Sequence, residues 1–352
     1  MMAAKSRHVF AWMVAVCAAQ LAGCAGTGEI YTDPEAAVTA SEMALKQALT
    51  DEDPFIRAEA TEATVQVRGA AAGQAYIDAL DDPRPSVRFA ACLAVGDTQL
   101  EEAMPKLQQM ARFKASEAER DERVFCGVLY ALFSLGNTDQ IAELGRLLFD
   151  EEKEVRANAA LVMGRMGDPS AIPPLKALLS EERDIATRLQ VLESLAYLGD
   201  ERSALLLEAH ARKPFLAEKL IAIRALGELA KPRSILVLEN VLYSDRERPR
   251  ARVAAAGSLA RIGQRENYGY DLCVTSAWKP REILDTATDA EYEPLEWDVD
   301  SLQQLAAISL GWMGRREAVD VLYPLLRNES DSVRVAAAMS ILRLLPASDA
   351  FG

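Results

Sequence analysis

Apolar residues recur along most of the chain at the three-to-four-residue spacing of an amphipathic helix. In residues 155–167, for example, Val155, Ala159 and Val162 follow this spacing, and acidic residues precede the segment. A glycine ends it, and a second apolar stretch follows at 171–179. Segments of this kind alternate through the sequence, which predicts an all-α chain built from pairs of helices.

Nine segments align on one register. Their second positions are mostly basic and lie 31 to 37 residues apart, with one gap of 51. In chain order these second positions are Arg57, Arg88, Phe125, Arg156, Arg188, Lys219, Arg252, Gln303 and Arg334. A repeat of this length cannot bury its apolar faces alone, so the copies are expected to stack on one another.

Local signals mark the ends of the first helix in each copy. Asp and Pro precede several copies, as at Asp53-Pro54, and such residues cap and begin helices. A glycine directly after the last apolar residue suits the left-handed conformation that ends a helix. The glycines predicted to do so are Gly167, Gly199, Gly263 and Gly314.

The pattern D-x-x-x-V-R-x-x-A-A-x-x-L-G resembles the HEAT family, and specifically the short HEAT-like repeats also found in phycobilisome lyases. The resemblance covers about residues 40–345. It implies an armadillo-type α-α superhelical solenoid of about nine helical-hairpin repeats, in a family whose common property is binding other proteins. Nine layers spaced about 8–10 Å apart predict a rod or arc on the order of 80 Å long.

The amino terminus has the three parts of a signal peptide. Lys5 and Arg7 precede an uncharged apolar run at 9–19, which is too short to span a membrane. The following Leu-Ala-Gly-Cys resembles the lipobox of bacterial lipoproteins. This resemblance implies cleavage between Gly23 and Cys24, and lipidation of Cys24. An ordinary secretory signal that happens to carry a cysteine is the alternative.

These features divide the chain into segments. Residues 1–23 are the predicted lipoprotein signal peptide, 24–39 a lipidated tether, 40–346 the solenoid and 347–352 a tail. The predicted location is the cell envelope, on the periplasmic side of a membrane. Ala rather than Asp follows the lipidated cysteine, which favours the outer membrane over the inner membrane under the rule known from enteric-type bacteria.

The 51-residue gap predicts an insertion at about 264–300, in the solenoid. Insertions in repeat proteins usually form loops on one face, which is often the binding face. The aromatic residues of this insertion are candidate partner-binding residues, since Tyr and Trp are enriched at binding hot spots. They are Tyr268, Tyr270, Trp278, Tyr292 and Trp297. The alternative is that these side chains only anchor the loop to the solenoid.

The repeated basic residue also has two interpretations. The six arginines at the second position could form a ladder that binds an anionic ligand. Alternatively, each pairs with acidic residues before its own helix or with the loop of a neighbouring repeat. Acidic residues close in sequence favour the second interpretation.

Few residues offer recognisable chemistry. His210 is the only histidine after the predicted signal peptide, and no metal-binding or nucleophile motif is present. The deoxyhypusine hydroxylase family uses similar repeats and binds iron through several His-Glu pairs, yet no His-Glu dipeptide occurs here. Cys92 and Cys126 align with alanine positions and are predicted to be buried, unpaired thiols. No metal and no cofactor are predicted.

The net charge of −14 disfavours nucleic acid as a partner. The acidity either keeps the protein soluble or suits a basic partner. Taken together, the sequence predicts a membrane-anchored scaffold or adaptor that binds other envelope proteins, and not an enzyme. Two alternatives stay open: a lyase- or hydroxylase-type enzyme of a HEAT-like family, and a purely structural spacer.

Overall fold

A computed structural model describes residues 31–112, 121–266, 269–285 and 296–346, and regular structure within these ranges is entirely helical. The helices are α1 Pro34–Ala48, α2 Pro54–Arg68, α3 Gly73–Ala79, α4 Pro85–Thr98, α5 Met104–Ala111, α6 Glu122–Ser134, α7 Glu143–Leu147, α8 Lys153–Met166, α9 Ile172–Glu181, α10 Ile185–Tyr197, α11 Glu201–His210, α12 Leu216–Leu229, α13 Ile235–Tyr243, α14 Pro249–Arg261, α15 Gly269–Trp278, α16 Pro280–Asp285, α17 Glu296–Met313, α18 Ala318–Leu322 and α19 Asp331–Leu344. Short 3-10 turns adjoin several of them, at Gly69–Ala72, Glu101–Ala103, Pro169–Ala171, Pro232–Ser234 and Tyr323–Arg327. In the described ranges, no helix is both long enough and apolar enough to cross a bilayer.

The predicted start and stop signals operate as expected. The Asp53 carboxylate accepts a hydrogen bond from the Phe55 N–H at 2.8 Å, and Asp184 accepts one from Thr187 N–H at 3.0 Å. Gly167 has φ 73° and Gly263 has φ 107°, so both end their helices in the left-handed conformation that glycine adopts without strain. Local capping therefore fixes the length of each repeat.

The helices form two layers. The first helix of each repeat, which carries the repeated basic position, packs against the corresponding helices of the repeats before and after it. These inner helices are α2, α4, α6, α8, α10, α12, α14, α17 and α19. The second helix of each repeat lies outside, over the groove between two successive inner helices. The prediction of an all-α solenoid of helical hairpins is thereby confirmed.

The solenoid closes into a ring, so the predicted open rod or arc is wrong. The last inner helix, α19, packs against the first, α2, as well as against α17. Helix α1 lies on the outside of this seam, where it takes the place of an outer helix for α19. Leu45 of α1 packs with Met339 and Leu342 of α19, and the Thr32 N–H donates to the Asp320 carboxylate at 2.7 Å.

Close contact between inner helices accounts for this curvature. A Cβ on Gly227 would lie 2.7 Å from the Ser258 Cβ and 2.9 Å from the Ser258 Cα, so α12 and α14 meet nearly backbone to backbone. The Ser258 hydroxyl also donates to the Ile223 carbonyl at 3.0 Å. Gly164 and Ser194 make the equivalent contact two repeats earlier. Because small residues draw the inner layer together, each repeat turns in the same direction and the ring closes.

Part of the predicted insertion is a regular outer helix. Helix α15 packs against α14, α17 and α18, and its Cys273 and Ala277 are fully buried. The residues beyond the standard repeat therefore begin at α16. The thiols of Cys92, Cys126 and Cys273 are free and buried, which matches the interpretation of the first two as small core residues.

Candidate functional site

The repeated arginines are engaged by the loops and neighbouring repeats. Arg57 donates through Nη1 to the Asp51 carbonyl at 2.7 Å and pairs with Asp82 of the next repeat at 2.7 Å. Arg156 likewise pairs with Glu182, at 2.6 Å. Arg88, Arg188 and Arg334 also donate to loop carbonyls. These side chains stabilise the joints between repeats, and the structure favours this interpretation over an anion-binding ladder.

Three of the predicted partner-binding aromatics lie on described helices. Tyr270 and Trp278 lie on α15, in the outer layer. The Arg315 Cζ lies 3.8 Å from the centroid of the Tyr270 ring, and Trp278 is 58% exposed. Trp297 is in the first turn of α17. Tyr268 and Tyr292 lie outside the described residues, as do Gly23 and Cys24.

His210 lies beside a carboxylate and a lysine. Its Nδ1 lies 3.0 Å from a Glu218 carboxylate oxygen, and Lys213 pairs with the same carboxylate. In the parts of the chain that the structure describes, no three His, Cys, Asp or Glu side chains are placed to hold a metal. This donor set does not fit the iron site implied by the hydroxylase alternative.

The ring encloses a cavity of about 1140 Å³, which we call the chamber. Its wall is built from one repeated register position, five residues after the repeated basic residue, and all nine repeats contribute this residue to the lining. These residues are Glu62, Leu93, Tyr130, Leu161, Glu193, Arg224, Gly257, Ile308 and Met339.

A second register position lies four residues further along, on the same helical face and in the last turn of each inner helix. Since the inner helices run in the same direction, these residues surround one end of the chamber, and we call them the collar. They are Gln66, Asp97, Ser134, Arg165, Tyr197, Glu228, Arg261, Trp312 and Arg343. Seven of the nine line the chamber itself, all but Ser134 and Arg343.

One group of charges reaches across a repeat. Arg165 Nη1 lies 2.7 Å from the Asp97 carboxylate, although α6 stands between their helices in the chain. Tyr130 of α6 donates its hydroxyl hydrogen to the same carboxylate. Burial raises the pKa of the Tyr130 phenol to about 12, so this hydrogen bond persists at neutral pH.

A second group forms a continuous chain of charges over α10, α12 and α14. Arg224 lies 3.0 Å from Glu193 and 2.9 Å from Glu228, and Arg261 reaches Glu228 at 3.2 Å. Tyr197 donates to the Glu228 carboxylate, also at 3.2 Å. We call this group the paired arc.

Burial governs the acidity of the paired arc. Loss of solvation raises the pKa of Glu193, whose side chain is only 3% exposed, and Arg224 offsets part of this rise. Burial also opposes ionisation of Glu228, but the Arg224 and Arg261 guanidiniums outweigh it and lower the pKa of Glu228. The Glu228 carboxylate is therefore the more firmly ionised of the two.

Glu62 differs from the other chamber carboxylates. Its side chain is open to the chamber, and among the described residues it makes neither an ion pair nor a hydrogen bond. Protein enclosure raises the pKa of Glu62 through desolvation, while the more distant Arg165 and Arg224 lower it. A carboxyl group in this position can accept or donate a proton at a ligand in the chamber.

Sequence reasoning missed the chamber and the collar. The alignment of the nine repeats did contain the signal: nine residues after the repeated basic position, charged, amide and aromatic residues replace the expected apolar or small ones. A motif search could not find it, because neighbouring members of this set are about 31 residues apart. Only ring closure brings them together.

Comparison with known proteins identifies the family to which the repeats belong. A model described as HEAT repeats matches residues 41–123, 113–196 and 141–217, about half of the chain. The bilin biosynthesis protein PecE of Mastigocladus laminosus is 29% identical over 192 residues, which are 51% of this chain and 62% of the relative. The match thus spans less than two thirds of that protein.

Two solved structures are similar in fold. Human deoxyhypusine hydroxylase in complex with glycerol has a TM-score of 0.36 at 16% identity, over 89% of this chain and 99% of that one. The CpcE–CpcF complex of phycocyanin lyase from Nostoc sp. has a TM-score of 0.32 at 19% identity, over 89% and 96%. These likenesses are too distant to indicate a function.

The similarity to a bilin biosynthesis protein contradicts two expectations from the sequence. These were that the chain is a scaffold or adaptor of the cell envelope, and that it is not an enzyme. The first rested on the protein binding common to the HEAT family and on the lipobox, and the second on the lack of contiguous catalytic motifs. The ionisable groups of the chamber come from separate repeats, so such motifs are not needed to assemble them. The lyase-type alternative is the better supported one.

Proposed function

The chain belongs to the HEAT-repeat family, and we propose that it is a lyase-type protein that binds a bilin, a linear tetrapyrrole, in its chamber. The observation that carries the proposal is the chamber itself. Its volume of about 1140 Å³ is slightly above the range of about 300–1,000 Å³ that is typical of small-molecule pockets. A large, extended ligand is what such a volume suits.

The lining matches the chemistry of a tetrapyrrole. Such a molecule has a flat conjugated body, pyrrole N–H groups and propionate side chains. Apolar wall residues such as Leu93, Leu161 and Ile308 suit the conjugated body. Carboxylates accept hydrogen bonds from pyrrole N–H groups, and guanidiniums bind propionates. The chamber contains both kinds of charged group.

Glu62 is our candidate for proton transfer. Addition of a thiol across a carbon–carbon double bond of the bilin breaks the S–H bond and the π bond and forms one C–S and one C–H bond, so a proton leaves sulfur and a proton is delivered to carbon. The reverse reaction removes the proton from carbon and returns one to sulfur. A carboxyl group with a raised pKa, facing the ligand and free of an ion pair, suits both directions. We expect Glu62→Gln to retain bilin binding and to slow the lyase reaction by about 10²-fold or more.

Absorbance and circular dichroism test the location of the ligand. Biliverdin added to the purified protein is expected to bind with one-to-one stoichiometry and to gain a circular dichroism signal in its visible band. Leu161→Trp, which places a larger aromatic ring at the chamber wall, should weaken binding and alter this signal. The same substitution at Leu205, which is 48% exposed on the outer helix α11, is the matched control and should leave both unchanged. Affinity and signal that are the same in Leu161→Trp as in the wild type would place the ligand elsewhere.

Lipid attachment remains a prediction of the amino-terminal sequence, and with it the location at a membrane and any contact with envelope proteins. We propose that Cys24 is lipidated after cleavage at Gly23. Cys24→Ser should abolish incorporation of labelled palmitate, while the Cys273→Ser control retains the label. A labelled Cys24→Ser protein would contradict the proposal.

A further inference from the structure

Arg343 is the collar arginine without a carboxylate. Arg165 pairs with Asp97 and Arg261 with Glu228, whereas Arg343 makes no ion pair within the described ranges. Its Nη2 donates to the Gln66 amide oxygen at 2.6 Å. Its Nη1 is buried and has no hydrogen-bond partner there. One side of this planar, fork-shaped cation is therefore unsatisfied.

The Trp312 ring holds the guanidinium in place. The Arg343 Cζ lies 3.9 Å from the ring centroid, a cation–π contact, and the Arg261 Cζ lies 4.6 Å from the same ring. Trp312 lines the chamber beside Gln66 and Arg261. The Arg343 guanidinium thus stacks on a ring that lines the chamber, although Arg343 itself does not line it.

The charge of Arg343 is costly in this place. Burial lowers its pKa to about 10, and repulsion from Arg261 adds to the effect, so the guanidinium is still charged at neutral pH. A partly buried cation without a counter-ion normally destabilises a fold. An anion bound to Nη1, which a shift of the side chain must first expose, would supply both the missing acceptor and the missing charge.

We propose that Arg343 and Trp312 form a subsite for a carboxylate carried by a flat conjugated molecule, with the carboxylate on the guanidinium and the conjugated system beside the indole. This inference deepens the proposed function and rests on it where the carboxylate is a propionate of the tetrapyrrole. Arg261 is shared with Glu228 and contributes only through its field. The subsite fixes the end of the chamber at which the carboxylate lies.

Two pairs of probes test the subsite: biliverdin with its dimethyl ester, and pyrenebutyrate with its methyl ester. The wild-type protein should bind each acid at least tenfold more tightly than its ester. Arg343→Met should weaken binding of the acids at least tenfold and leave the esters unchanged. Arg343→Lys keeps the charge without the fork and should recover part of the loss.

Arg315→Met is the matched control. Arg315 also stacks on an aromatic ring, that of Tyr270 at 3.8 Å, but it pairs with Glu317, and the Tyr270 ring, unlike that of Trp312, does not line the chamber. This variant should bind all four probes like the wild type. Melting temperatures no lower than that of the wild type would show that the three variants fold.

The outcomes separate the two proposals. The subsite is overturned if the wild type binds acid and ester with equal affinity, or if Arg343→Met binds the acids as tightly as the wild type does. If pyrenebutyrate binds in an Arg343-dependent way and biliverdin does not bind at all, the subsite is supported and the proposal that the chamber binds a tetrapyrrole is overturned. Inorganic phosphate that displaces pyrenebutyrate at equal concentration would show a site for small anions, and so would overturn the preference for a conjugated carboxylate.

Discussion

Two arcs of the same ring differ in how their ionisable residues are paired. In the paired arc, Arg224 and Arg261 are each matched by carboxylates from neighbouring inner helices. In the arc formed by α17, α19 and α2, which we call the unpaired arc, Glu59 and the collar residue Arg343 make no ion pair in the described ranges.

This difference separates structural charges from those available to a ligand. Among the collar arginines, Arg165 and Arg261 pair with carboxylates, whereas Arg343 does not in the described ranges. Glu59, which lies outside the collar, accepts hydrogen bonds from Ser332 at 2.7 Å and from Gln304, both uncharged. Charges in the paired arc hold helices together, whereas Arg343 in the unpaired arc keeps a donor without an acceptor there, as the proposed subsite requires.

The largest effect is expected from breaking the paired arc. Arg224→Met should destabilise the protein by about 3 kcal/mol, since Glu193 would remain buried without its partner. The value is at the low end for buried pairs because the Arg224 side chain is half exposed. Chemical denaturation measures this loss.

The corresponding change in the unpaired arc is the control. Arg343→Met should leave stability unchanged or raise it, because it removes an unpaired buried charge. A double variant of Arg224→Met with Glu193→Gln should recover part of the first loss. Equal losses for Arg224→Met and Arg343→Met would show that the two arcs do not differ.

A smaller effect is expected from the packing beneath the paired arc. Gly227→Ala should destabilise the protein by about 2 kcal/mol, because the added Cβ meets backbone as well as side-chain atoms of Ser258. Gly145→Ala provides the control, since nothing lies within 4 Å of its added Cβ, and it should gain up to about 1 kcal/mol of helix propensity. Thermal unfolding measures both effects. A rise in melting temperature above the wild-type value in both variants would contradict the close contact between α12 and α14.

The smallest effect concerns Glu59 in the unpaired arc. Burial raises its pKa, so the folded protein binds this proton more tightly than the unfolded chain does. Stability therefore falls as the pH rises from the unfolded pKa through the folded pKa. Glu59→Gln should raise stability at pH 8 by up to about 1 kcal/mol and make no difference at pH 4. A stabilisation that is constant between these pH values would contradict the assignment.

The repeats were predictable because their signals are local. The Asp53 cap, the terminating Gly167 and the helical spacing of Val155 and Ala159 each depend on residues close in sequence. Ring closure was not predictable in this way. It depends on the sum of small rotations at every contact between inner helices, such as that of Gly227 with Ser258, and no single repeat determines that sum.

The candidate site was missed for the same reason. The aromatic residues around Trp278 could be predicted as a candidate site because they are close in sequence, and Trp278 is exposed in the outer layer. Gln66 lies near one end of the chain and Trp312 and Arg343 near the other, and they meet only across the seam. Comparing equivalent positions across all repeats would have identified them.

The seam between α1 and α19 also sets the order in which a ribosome can complete this protein. Helix α1 is synthesised first, but the apolar surface that covers Leu45 is on α19, more than 280 residues later. At typical elongation rates α1 waits roughly 15–60 s for that surface. During this time the growing chain is an open arc with two uncovered ends. Messenger RNA that stops before residue 331 would therefore yield a chain with α1 and α2 exposed to chaperones and proteases, however well its other repeats had folded.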